Sequence, residues 1–382
     1  MRDIMDIALP APVWVSNTAD FQAMLAELMR FPIVAVDTES NSLFAYHERV
    51  CLVQISTPKT DFLVDPLEVD IKALGELFGS PKIEKVFHAA EYDIICLRRD
   101  YKFTFTNIFD TMIASRLLKK AALGLGACLE AEFNVIVDKR HQRANWGERP
   151  IKDSMLDYAR MDTHYLIPLR GIRVSELKVA GLWDLAQEDF RRLAQSNGAP
   201  PVRPDCWSVA GKENLEPQQL SVLQGLVEYR ERIAELLDHP VFKVIGDQSL
   251  VTLARLLPSN RSQLEKSGAL SEKQMHRYGR DLLTVIRQGG DRPVPKRKYN
   301  HRPSEEYLRR YEKLKRWRVE KAAEQELESD VILPKDIMRG IAELPEVTRE
   351  SLREVMQSTP WRSKKYGSMI LKLLTEKTQK GK

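Results

Sequence analysis

Cysteine is scarce in this chain of 382 residues, and the four present, Cys51, Cys96, Cys128 and Cys206, stand far apart with no C-x-x-C pair. That argues against a disulfide framework or a cysteine-based zinc module, and a cytoplasmic, reducing setting is expected. No apolar run reaches the ~18 residues that a membrane span needs, so no membrane partner is expected. The opening stretch MRDIMDIALPAPVWV mixes charges and lacks the apolar core of a signal peptide. Also missing are a G-x-x-x-x-G-K-[ST] phosphate loop, H-E-x-x-H and G-x-S-x-G, while the GLG at Gly124–Gly126 lacks the third glycine of a dinucleotide fingerprint. A nucleotide cofactor and an ATP-driven motor are therefore not expected.

Of the residues present, 43% are hydrophobic, enough for large cores, and the length suits two or three domains of ~100–200 residues each. Net charge is +5, but it is unevenly placed. Residues 291–382 hold 23 Lys and Arg against 15 Asp and Glu, and the preceding residues hold 36 against 39. A cation-rich end on a slightly acidic body points to a polyanionic partner.

Strand signals lie at Ile33–Val36, Val50–Ser56, Asp61–Val64 and Lys85–His88, the first three separated by short turns, as in an antiparallel meander. Helical patterns follow at Ile71–Phe78, Tyr92–Arg99, Thr111–Leu118 and Ser154–Leu169, so an α/β domain with a mixed sheet is expected. Two Pro- and Gly-rich breaks, Ser196–Asn214 and Gln288–Pro303, read as linkers. Beyond each break the pattern is helical. Tyr229-Arg230 parallels Trp317-Arg318, and RYGRDLLTVI (277–286) parallels KYGSMILKLL (365–374), both at an offset of 88 residues. Two copies of one small helical domain are expected, although their middles align poorly.

Three segments carry acids in positions that local geometry makes costly. In VAVDTES (34–40), alternation along a strand puts Asp37 and Glu39 on one side. Two carboxylates so placed raise each other's pKa and need a proton, a salt bridge or a cation. In KVFHAAEYDIICL a strand ends near His88 and Asp93 sits at the start of a helix. In MLDYARMDTHYLI, Tyr158 and Asp162 are four residues apart on one helix face.

Taken as a set, these segments resemble the three exonuclease motifs of the DEDD 3′→5′ exonucleases. The subclass is the one with tyrosine four residues before the last acid, and the resemblance is nearest to the ribonuclease D family. The histidine subclass places His where Asp157 stands here. LVQIS (52–56), IFDT (108–111), NWGERP (145–150) and YARMDTHYL (158–166) extend the resemblance over Ile33–Leu169. It departs at Ser40, where the family often has Phe, and at Asn145, where Asp is usual.

The resemblance implies an α/β RNase H-like exonuclease domain over residues 1–200, with a mixed five-stranded sheet. It also implies two divalent cations, Mg²⁺ or Mn²⁺, held by Asp37, Glu39, Asp93 and Asp162. Asp37 would bridge both, Glu39 and Asp162 would hold the one that activates water, and Asp93 would hold the other. Tyr158, whose phenol ordinarily titrates near ~10, would orient the water and not act as a base. The implied partner is RNA, trimmed to 5′-mononucleotides from single-stranded 3′ ends of tRNA precursors and other structured small RNAs. A DNA exonuclease of identical chemistry and a non-catalytic RNA-binding protein are the alternatives. Phe44 and Tyr46 are candidates to stack on terminal bases, and His88, Lys139, Arg140, Gln142 and Arg143 to touch the substrate. Asp110 and Trp146 are expected to be structural.

Leu215–Pro258, with Tyr229-Arg230 and the HPVFKVIGD turn, resembles the helicase-and-RNase-D C-terminal (HRDC) domain. Two such all-α domains, 212–290 and a divergent 303–378, are expected. Lys243, Lys296, Arg297, Lys298, Arg302, Arg316 and Arg318 are candidate phosphate contacts, the cluster Lys296–Lys298 foremost.

Overall fold

A computed structural model describes residues 10–198, 204–290, 292, 293, 296 and 303–376. Arg297, Lys298 and Arg302 lie outside the described residues. The sheet has six strands, not the expected five: β1 (Val13–Val15), β2 (Ile33–Ser40), β3 (Val50–Ser56), β4 (Asp61–Val64), β5 (Glu84–Phe87) and β6 (Ile108–Asp110), in the order β1-β4-β3-β2-β5-β6. The expected meander β2-β3-β4 is antiparallel, whereas β5 and β6 add in parallel beyond β2 and β1 pairs parallel with β4. The two outermost strands have three residues each, too few for alternation to register in sequence. Every residue of β3 and β4 is buried, as befits strands covered on both faces.

Eight helices accompany the sheet: α1 (Thr18–Leu28), α2 (Leu74–Gly79), α3 (Glu91–Tyr101), α4 (Thr111–Leu117), α5 (Leu125–Phe133), α6 (Asp153–His164), α7 (Leu166–Val179) and α8 (Trp183–Leu193). Phe21, Leu77, Phe78 and Leu97 of α1–α3 pack on one face with Val34, Val36, Val53 and Ile55. On the other face, Ala35 and Phe109 meet Leu166, Leu169 and Phe190, while Leu52 and Leu63 meet Met155 and Ala159 of α6. The single helix expected over Ser154–Leu169 is divided at Tyr165. Pro168 has no N–H to give to the carbonyl of His164, so the first helix cannot run through it.

The second half of the first expected linker is packed. Cys206 and Val209 are buried against the following helices, and the Cys206 N–H donates to Gln224 at 2.9 Å. Those helices are α9 (Pro217–Leu237), α10 (Val241–Val244), α11 (Asp247–Leu256), α12 (Arg261–Lys266) and α13 (Glu272–Gly289). The last five are α14 (Glu305–Gln325), α15 (Ser329–Ile332), α16 (Lys335–Glu343), α17 (Arg349–Val355) and α18 (Pro360–Thr375). Each of these starts 88 residues after its counterpart, the middle helices included. The repeat extends to side chains. Arg230 Nη1 donates to the Ile245 carbonyl at 3.2 Å, and Arg318 Nη1 to the Leu333 carbonyl, also 88 positions on, at 3.1 Å. Tyr229 meets Tyr278 edge-on as Trp317 meets Tyr366. Arg318, a candidate phosphate contact, thus ties α14 to the loop before α16.

Both bundles dock on the α/β domain through the same turn. In the first, Asp238, the residue after α9, accepts from the N–H groups of Tyr46 and His47 at 3.0 and 3.1 Å. In the second, the equivalent Glu326 pairs with Lys119 at 3.0 Å, and Glu328 and Asp330 grip Arg116.

Candidate active site

The D-x-E strand delivers its acids as alternation requires. Asp37 pairs across the sheet with Gln54 and Glu39 with Leu52, and an irregularity between Glu39 and Ser40 ends the regular register. Helix α6 crosses this face and brings Asp162: one carboxylate oxygen each from Asp37, Glu39 and Asp162 lie within 4.8 Å of one another. Asp93, in the first turn of α3, comes from the other side of β2. Thr38, pointing opposite to its neighbours, donates its hydroxyl to Asp93 Oδ1 at 2.5 Å.

Burial governs the electrostatics. It pushes Asp37 well above the ordinary carboxylate range, with further pushes from Asp93, Asp162 and Glu39. Burial first, then Asp162 and Asp93, raises Glu39 to about 9. Asp162 is raised to about 7 by burial and by Asp93. Asp93 is also raised to about 7 by burial, against the lowering effect of the Thr38 hydroxyl. Tyr158, one turn before Asp162, is pushed far above a normal phenol by burial and then by Asp162, Glu39 and Asp37, so it stays protonated across any working pH.

These acids fit a divalent-metal site. The oxygens of Asp37, Glu39 and Asp162 converge, the donor set is all carboxylate and hence hard, and among the described residues no cationic side chain answers the mutual repulsion. A cation would return each to its ionised form.

The surroundings fix the acids from behind. Asp110 caps α4 through the Met112 and Ile113 N–H groups at 2.8 and 2.9 Å, and its other oxygen accepts from the Ala90 N–H at 2.8 Å, just before α3. The acid of IFDT therefore positions the helix that carries Asp93. Trp146 is buried and its ring lies 6.1 Å from that of Tyr158. Arg149 anchors the same loop on Asp65 at 2.6 and 2.7 Å and on the Cys51 carbonyl at 2.8 Å. Asn145, where the family usually has Asp, bonds Glu148 and the Gly147 N–H within its own turn.

The candidate substrate contacts are dispersed. Tyr46 is half-buried, packs against the core of the first helical bundle, and its hydroxyl donates to Glu231 at 3.1 Å. Phe44 is half-buried beneath the Lys243 ammonium, which lies 4.1 Å from the ring centre. His88 Nδ1 is 2.8 Å from Thr111 Oγ1, and burial draws its pKa below the usual value, the behaviour of a packed structural imidazole. Lys139, Arg140, Gln142 and Arg143 are exposed on the loop before Trp146, and Lys296 is exposed apart from the site.

Three neighbours of the site went unnoticed in the sequence. Thr38 lies within the first motif, and alternation alone places it toward α3. Gln54 is fully buried beside Asp37 with neither amide atom partnered. His141 meets Tyr158 edge-on at 6.0 Å from a loop that has no periodic signal.

Comparison with known proteins agrees with this geometry. The profile of the 3′-5′ exonuclease family matches residues 12–178, and that of the HRDC domain matches 219–286 and 308–374. The exosome complex exonuclease RRP6 of Saccharomyces cerevisiae is 32% identical over 267 residues, covering 65% of this chain and 36% of that protein. The chain thus spans about a third of that relative's length. Ribonuclease D of a Shewanella species is 28% identical over 276 residues, 72% of this chain and 71% of the other. The crystal structure of Escherichia coli RNase D superposes with a TM-score of 0.70 at 21% identity, over 97% of this chain and all of that one. Residues 12–178 thus make up a domain of the 3′-5′ exonuclease type, and two HRDC domains follow it.

Proposed function

We propose that the protein is a 3′→5′ exoribonuclease that releases nucleoside 5′-monophosphates one at a time from single-stranded RNA ends. The observation that carries this is the convergence of Asp37, Glu39 and Asp162 within 4.8 Å, with Asp93 and Tyr158 closing the same site. On this reading Asp37 serves two divalent cations, Mg²⁺ or Mn²⁺, with Glu39 and Asp162 holding the first and Asp93 the second. When bound, such a pair supplies a nucleophilic water and neutralises charge on the departing 3′-oxygen. Tyr158, kept protonated, donates to the attacking water and sets its line of approach. Thr38 holds the Asp93 carboxyl in one rotamer, and Asp110 fixes the helix under it. The bond from phosphorus to the 3′-oxygen breaks as the new bond to water oxygen forms, leaving a 5′-monophosphate and a shortened chain with a free 3′-hydroxyl.

Division of labour follows the domains 1–200, 212–290 and 303–378: the first cuts, and the helical pair, with its cationic excess, holds the RNA body. The E. coli structure that the chain resembles is described as an exoribonuclease involved in structured RNA processing. By analogy we place tRNA precursors and structured small RNAs with free 3′ ends among the substrates. Four buried free thiols suit a cytoplasmic location. A digestion panel of 3′-tailed RNA, the matching DNA and a tRNA precursor, with and without chelator, tests the proposal. Metal-dependent 5′-monophosphate release from RNA is expected, and a DNA-only product or no product would overturn it.

A further inference from the structure

The two HRDC domains share their helices but not their surfaces. In the second, a cavity of about 220 Å³ opens between α17 and α18, lined by Arg349, Arg353, Ser363, Lys364, Gly367 and Ser368 with two leucines behind them. Eighty-eight residues earlier the same positions are Arg261, Glu265, Met275, His276, Gly279 and Arg280. There the groove is closed twice over. Arg261 is neutralised by Glu265 at 2.9 Å, and Met275 fills the space above the buried Gly279, its sulfur 3.3 Å from where a Cβ would stand. In the second copy Ser363 replaces the methionine, and a Cβ on Gly367 would meet nothing nearer than Ser363 Oγ at 3.9 Å. Arg353 replaces the acid, so two guanidinium groups stand one helical turn apart, a repulsive arrangement. Among the described residues, Arg349, Arg353 and Lys364 have no carboxylate partner. Glu350 and Glu354 lie on α17 but do not line the cavity.

Three cations and two hydroxyls around a small hollow without an aromatic ring suit phosphate oxygens and not bases. Arginine forks and hydroxyls bond a nucleic-acid backbone in this way, without reading sequence. We propose that the α17–α18 groove of the second HRDC domain binds the phosphate backbone of the RNA body, a site that the first domain lacks. This rests on the exoribonuclease reading for the identity of the polyanion.

The test uses the full chain with Arg353→Glu, which installs the first domain's residue, and separately Ser363→Met, which fills the hollow without changing charge. Binding of a hairpin RNA with a single-stranded 3′ tail is measured in chelator over a salt series, beside metal-loaded hydrolysis of a five-nucleotide RNA. For Arg353→Glu, which cancels two cations, affinity should fall about tenfold near ~0.15 M salt and the log–log salt slope should flatten by about 1.8, the duplex value. Ser363→Met should weaken binding in the same direction, and it decides the matter if Arg353→Glu does not fold. Hydrolysis of the short RNA should keep its wild-type rate in both. Unchanged hairpin affinity and slope would overturn the groove, as would tighter binding of poly-glutamate than of RNA. If the wild type cleaves no RNA, the exoribonuclease reading falls while the binding comparison still judges the groove.

Discussion

Charge is buried at several places among the described residues, and two of them are built on opposite plans. Under the second HRDC domain, Arg362 is enclosed with Glu188, which accepts both from its guanidinium at 2.5 Å and from the Trp361 N–H, while Asp189 takes two further bonds at 2.7 and 3.0 Å. Each acid there is paired with the base, and the product is a fixed joint. At the end of β2 four acids are gathered with no base among them, and burial raises each. Gathering buried acids without a base is costly, and such a cluster marks a place that a cation from outside can complete, which is why the first cluster reads as architecture and the second as a binding site.

The largest effect should come from the uncompensated cluster. Asp162→Asn is expected to lower RNA hydrolysis by about three orders of magnitude or more, the scale of several kcal/mol of metal-borne stabilisation, with circular dichroism unchanged. Wild-type turnover would remove Asp162 from the site. At the compensated joint the damage should fall on stability. Arg362→Met leaves Glu188 buried and unpaired, and denaturant titration should register a loss of about 3–5 kcal/mol, partly regained by adding Glu188→Leu. A neutral Arg362→Met would mean that water already reaches the joint.

The same contrast sets opposite responses to pH. The site carboxyls have folded pKa values above their unfolded ones. Their contribution to stability is therefore full below about 4 and is lost as pH rises through about 7 for Asp93 and Asp162 and about 9 for Glu39. Without divalent ions the wild type should melt lower than Asp162→Asn at pH 8, and the gap should close at pH 5. Millimolar Mg²⁺ or Mn²⁺ should raise the wild-type midpoint at pH 8 more than at pH 5 and should barely move Asp162→Asn. A wild type that melts higher than the variant in chelator at pH 8 would mean that the cluster is not under strain.

What local sequence could say depended on how far apart the partners are. Asp37 and Glu39 share a face by strand alternation, and Tyr158 and Asp162 by one helical turn, so both pairs were readable directly. Asp93 is fixed beside them by Thr38, 55 positions away, and family resemblance was needed to find it. The packing of Tyr46 was not readable locally, because its partner Glu231 lies 185 residues on, in another domain. The helical repeat was visible at its two ends, where aromatic residues meet, and hidden in the middle, where the helices keep their offset of 88 while their surfaces diverge. Cys206 and Val209 were hidden by the prolines and glycines around them, which mark a chain reversal but not whether it is packed.

Within the compensated joint itself a smaller contrast separates enclosure from mere proximity. Arg192 reaches Asp336 with two bonds at 2.9 Å, both from Nη2, as many bonds as Arg362 gives to Asp189, yet the Asp336 side chain is 67% exposed where Glu188 is wholly buried. Water and salt screen the outer pair, and its acid loses little solvation on docking. Asp336→Asn should therefore cost under about 1 kcal/mol, and that cost should shrink further at ~1 M salt, while the Arg362→Met loss persists there. Equal costs for the two substitutions would place the strength of the joint in bond count, and unequal ones place it in desolvation, the quantity that also raises the four acids of the site.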